Sequence, residues 1–90
     1  MTPENIRDAQ TDRRSAMVLN LLRDKFGIVN PLDVARCMTA PEGVRIIKID
    51  PWPQNIDKRA ADTYFIRHGF RLYMGLLQVG PYSSAYLLEM

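Results

Sequence analysis

The pattern of apolar and polar positions changes period partway along the chain. From Ser15 to Phe26 apolar side chains recur at helical spacing: Val18, Leu19, Leu22 and Phe26 share a face that Met17 and Leu21 widen. Over residues 44–49 and 70–79 the apolar residues run as they do in strands. A chain with both periods has helix stripes and sheet faces to bury against each other. That predicts an α+β fold.

Local chemistry sets the expected boundaries. Thr2-Pro3-Glu4 combines an N-cap, a proline at the first helical position and an acid in the first turn. Ile6 to Arg14 is polar nearly all round, so residues 1–14 are expected to be a polar N-terminal helix or a frayed arm, with Thr11-Asp12 as an alternative start. Gly27 stops this first helix. Asn30-Pro31-Leu32-Asp33 repeats the start grammar and predicts a second helix over Pro31–Met38, with Leu32, Ala35 and Met38 on one side. Thr39 to Gly43 is turn chemistry.

A strand is predicted from Val44 to Asp50, apolar on both faces, and Pro51-Trp52-Pro53 must end it because proline cannot donate to a ladder. Asn55 or Asp57 caps a third helix whose stripe is Ile56, Ala60, Ala61, Tyr64, Phe65 and His68, and Gly69 closes it. Phe70 to Val79 reads as a strand and Gly80-Pro81 as a turn. Tyr82 to Met90 returns as a hairpin partner, because Tyr82, Ser84, Tyr86 and Leu88 alternate; a short helix opened by Pro81 is the other reading. The expectation is one domain over residues 1–90, with two to three helices packed on a small, mostly antiparallel three-stranded sheet.

Composition narrows the class. Of 90 residues 47% are hydrophobic, enough for a core and against wholesale disorder. At this size stability is expected to be modest, which favours a chain that works with a partner or a second copy. The net charge is +2 and evenly spread: residues 1–50 carry eight basic and seven acidic groups, residues 51–90 four and three. That balance gives neither a basic arm nor an acidic tail. Cys37 stands alone and cannot form an internal disulfide. The polar opening lacks the form of a secretory leader, and Ala16–Leu19 is as long as any unbroken apolar run, far short of the ~18 residues of a membrane span. A soluble, cytoplasmic protein with no membrane partner is expected.

No motif carries a reaction. His68 is the sole histidine and Cys37 the sole thiol, on separate predicted helices, so no nucleophile has an evident base. Metal-ligand spacings and glycine-rich phosphate loops are absent. Asp57 and Asp62 lie five apart beside Lys58 and Arg59 and are expected to form solvated ion pairs. Neither an enzyme nor a cofactor is expected.

Two binding readings remain. Trp52, held between prolines, and Tyr73, Tyr82 and Tyr86 on the predicted hairpin are candidate protein-interface residues, since rigid aromatics with one polar tip suit interfaces. Arg59, Thr63 and Arg67 recur at i, i+4 and i+8 away from the Tyr64/Phe65 stripe, with Arg71 nearby, and are candidate nucleic-acid contacts. With Leu19–Met38 as a first helix pair and residues 70–90 as a wing, the order resembles winged-helix domains, which implies a DNA-binding regulator. The chain departs from that pattern where Val44–Asp50 and Pro51-Trp52-Pro53 separate the second helix from the third. The sequence favours a small non-catalytic regulatory or accessory protein that binds another protein or a second copy of itself, over DNA binding by the 55–68 helix and the 70–90 hairpin.

Overall fold

The structure is a computed structural model that describes the backbone of residues 3–89 and the side chains of residues 9–89. Thr2, the expected N-cap, and Met90 lie outside the described residues. Helix α1 (Pro3–Asp24) is followed by a single 3-10 turn at Pro31–Asp33, strands β1 (Ala35–Thr39) and β2 (Arg45–Ile49), helix α2 (Lys58–Arg67), and strands β3 (Arg71–Leu72) and β4 (Ser84–Leu87). The four strands form one antiparallel sheet in the order β1-β2-β4-β3. The class is the expected α+β, and the two α-helices among the described residues lie within the expected two to three, but the sheet has four strands rather than three.

The extra strand replaces the expected second helix. Asn30 and Pro31 do start a turn, but it closes after Asp33, and Ala35–Thr39 pairs with β2 from Ala35↔Ile49 to Thr39↔Arg45. An eight-residue helix gains little by itself in water. Pairing with β2 gives the same residues a ladder, and β2 needs a neighbour on that side. With no second helix there, no helix-turn-helix pair occurs among the described residues. The predicted strand over Phe70–Val79 is also shorter. Only Arg71 and Leu72 join the ladder with Leu87 and Tyr86, followed by one further bond from the Tyr73 amide to the Ala85 carbonyl, 2.8 Å.

Helix α2 matches its expected limits. The Asp57 carboxylate accepts from the Arg59 amide at 3.1 Å, and Gly69 takes the left-handed φ of 89° that a side chain would resist. Ala61 and Phe65 are buried, while Ala60 and His68, at the margins of the predicted stripe, are exposed.

The sheet has two unlike faces. On one lie α1 and α2, and the main core gathers Val18, Leu22, Ile47, Ile49, Phe65, Phe70 and Tyr86. Phe65 is its hub, with ring centroids 4.8 Å from Tyr86, 5.7 Å from Phe26 and 5.8 Å from Phe70. On the opposite face a smaller cluster of Ala40, Ile46, Tyr73 and Ala85 is covered by Leu77 and Val79. The segment after β3 therefore folds over the sheet instead of extending it. Apolar residues on both faces of β2 reflect this double cover.

Candidate functional site

Residues 50–54 and 80–84 leave β2 and enter β4, and the sheet holds them side by side. The Trp52 amide donates to the Tyr82 carbonyl at 2.7 Å, and the Ser83 hydroxyl donates to Asp50 at 2.6 Å. Between them opens a cleft of about 570 Å³. Pro51, Trp52 and Pro53 form one wall, Pro81 and Tyr82 the other, and Ile56, Asp57 and Lys58 the end toward α2. Tyr82 is 74% exposed, whereas Trp52 is 5% exposed and packs inward on Phe26 and Phe65.

Beneath the cleft lies a buried polar cluster. The Trp52 indole N–H donates to the Ser84 hydroxyl at 2.7 Å, and that hydroxyl donates to Asp62 Oδ1 at 2.6 Å. The Tyr86 hydroxyl donates to the same oxygen at 2.6 Å, and the Lys58 ammonium holds Oδ2 at 3.2 Å. Asp62 is thus buried and fully coordinated, not the solvated acid expected from its neighbours in sequence. It lies on the face of α2 that meets β4, between Ala61 and Phe65, where Ser84 and Tyr86 point at it from alternate positions. Burial, and then the Asp62 carboxylate, hold the Tyr86 phenol far above its ordinary pKa, so Tyr86 stays a proton donor at all ordinary pH. Ser84 has its proton on Asp62 and a lone pair on the indole, which leaves it unsuited to nucleophilic attack.

A second carboxylate cluster lies on the opposite face. Exposed Glu42, in the β1–β2 turn, accepts from the Tyr73 hydroxyl at 2.5 Å and the Leu76 amide at 2.9 Å, and the Leu77 amide donates to the Tyr73 hydroxyl at 2.8 Å. These bonds fasten the segment after β3. The Tyr73 hydroxyl is the first reason that the Glu42 carboxyl is held below its usual pKa, and the Ser83 hydroxyl does the same for Asp50. At Gly75 any Cβ would collide with Glu42 and with the Tyr73 ring.

The structure separates the candidate interface residues. Trp52, Tyr73 and Tyr86 are buried, with their polar tips satisfied inside the chain, and Tyr82 alone projects. Trp52 still forms part of the cleft wall. Arg59, Thr63 and Arg67 share one exposed surface of α2 together with Asp57 and Tyr64, but Arg71 lies apart on β3 beside Arg14, Gly69 and Glu89. His68 ends α2 with its ring nitrogen 2.9 Å from the Tyr64 carbonyl, and Cys37 is exposed on β1, 2.9 Å from the Ser15 hydroxyl. Among the described residues no group of three His, Cys, Asp or Glu is placed to hold a metal ion, and no helix is long and apolar enough to cross a membrane.

Sequence reasoning expected an ion pair between Asp62 and a neighbouring base, which Lys58 supplies, but gave no site role to Asp62, Ser84, Lys58 or Glu42. The one local signal for the first of them was the Ser84/Tyr86 alternation, which places two hydroxyls on the same face of a strand. In comparison with known proteins, no family model, no curated protein and no solved structure matches the chain.

Proposed function

We propose that this chain is a small non-catalytic accessory protein that binds an extended segment of another protein in the cleft between Pro51–Pro53 and Pro81–Tyr82. The observation that carries the reading is the lining: three prolines, a tryptophan and a projecting tyrosine around one open groove. Proline-rich segments in polyproline II form dock on such aromatic-lined grooves and lose little entropy in doing so. The absence of a long apolar helix among the described residues fits a soluble, cytoplasmic setting for this role. Trp52 is the sole tryptophan and reports on the cleft. Titration with a panel of proline-rich peptides should shift its emission, and Tyr82→Ala should weaken binding by about tenfold or more, as expected for an aromatic anchor. Because Tyr82 is exposed, thermal stability should not change. Wild-type emission that ignores every peptide, or equal binding by Tyr82→Ala, defeats this reading.

A second reading, nucleic-acid contact by α2, is supported by the shared exposed surface of Arg59, Thr63 and Arg67. It requires binding that falls steeply with salt and disappears in Arg59→Glu/Arg67→Glu. No retardation of DNA at low salt rules it out.

A further inference from the structure

The sheet is open along β1. Val34 with Asp50 and Ala40 with Val44, the pairs flanking the β1–β2 ladder, are joined by N–H···O bonds of 2.8 Å. Antiparallel ladders alternate bonded and non-bonded pairs. Arg36 and Met38 therefore turn their backbone groups toward Lys48 and Ile46, whereas Ala35, Cys37 and Thr39 turn theirs outward. Among the described residues no backbone partner meets those outward groups. Most of the usual safeguards of a free edge are missing as well, Arg36 being the one charged residue on the strand. β1 contains no proline and no lysine, and its pairing with β2 runs without a bulge.

The strand is complementary to itself. Cys37 is its middle residue, with Ala35 and Thr39 at equal distances on either side. A copy related by a two-fold axis at Cys37 sets Cys37 opposite its counterpart and Ala35 opposite Thr39 of the second copy. Every outward N–H then meets an outward C=O. At the intervening positions Arg36 faces Met38 of the second copy, so no like charges oppose. Arg36, Cys37, Met38 and Thr39 are all exposed and would be covered by this pairing.

We propose that β1 is a dimer edge: two copies of the chain join through β1, antiparallel and centred on Cys37, into one continuous sheet with four strands from each. The proposal does not depend on the cleft. Light scattering after size exclusion, in reductant so that no Cys37 disulfide contributes, should find a dimer at micromolar concentration. Met38→Arg places arginines opposite each other at both symmetric positions and should raise the dissociation constant about tenfold or more. Arg36→Glu/Met38→Arg turns those contacts into opposite charges and should restore the dimer. Both positions are exposed, and circular dichroism confirms that the variants fold. A wild type that stays monomeric, a Met38→Arg dimer as tight as wild type, or a double variant that stays monomeric overturns the proposal. Tyr82→Ala should leave the dimer intact and Met38→Arg should leave cleft binding intact, so failure of either idea is read separately.

Discussion

The two faces of the sheet use the same device under opposite conditions. On the helix-covered face the Tyr86 hydroxyl donates to Asp62 at 2.6 Å; on the opposite face the Tyr73 hydroxyl donates to Glu42 at 2.5 Å. Asp62 is buried where α2 meets β4, while Glu42 stands in solvent at a turn. A buried acid left short of a partner cannot turn to water, so each of its bonds is hard to lose. An exposed acid can be rehydrated, so its bonds fix where a segment lies more than whether the chain folds. The comparison teaches that burial, rather than bond length, decides what a tyrosine–carboxylate pair does.

The largest effect should come from Asp62→Ala. It orphans the buried Ser84 and Tyr86 hydroxyls together, and denaturant unfolding should show a loss of about 3 kcal/mol or more. A loss below about 1 kcal/mol would mean that Asp62 is less buried than its contacts imply. Tyr86→Phe removes one donor and keeps the ring, and should cost about 1–3 kcal/mol. Next comes Gly75→Ala, whose added methyl would displace the Glu42 carboxylate. It should speed amide exchange at Leu76 and Leu77 while the Phe65 core stays protected; unchanged exchange would show that the segment has another anchor. Glu42→Gln should produce a milder form of the same local change.

Acid should reproduce the Glu42 effect. The Glu42 carboxyl is held below its ordinary pKa, first by the Tyr73 hydroxyl, so its contribution is present above the ordinary carboxylate range and is lost as pH falls through the lowered folded value. Asp50 has the same sign through Ser83 and Lys48. Exchange at Leu76 should therefore rise on acidification in wild type and be insensitive to pH, after correction for intrinsic rates, in Glu42→Gln.

What the sequence made legible was local. Asp57 and Gly69 bracket α2 because caps act within one turn, and alternation at Ser84 and Tyr86 gave β4 its place. Trp52 between prolines was legible as rigid, but the sequence left open whether it projects or folds back on the core, as it does. β1 was hidden because Asn30-Pro31-Leu32-Asp33 opens a 3-10 turn with the same chemistry that opens an α-helix, and the choice lies with β2 ten residues on. The Phe70–Val79 run is apolar enough for a strand, but Glu42, over thirty positions earlier, draws it across the sheet. Tyr73 and Tyr86 suggested an interface because an exposed tyrosine and a buried one with a distant carboxylate look alike until the chain is folded. The cleft was half visible: its residues were singled out, but its opposing walls come together only through β2 and β4.

Three rungs tie those walls: Trp52 amide to Tyr82 carbonyl, Trp52 indole to Ser84, and Ser83 to Asp50. Opposite rims so stitched move as one body, and an arriving chain meets a mould already set. Little ordering remains to be done on this side of the encounter, so the flexibility surrendered on association falls mainly on the visitor.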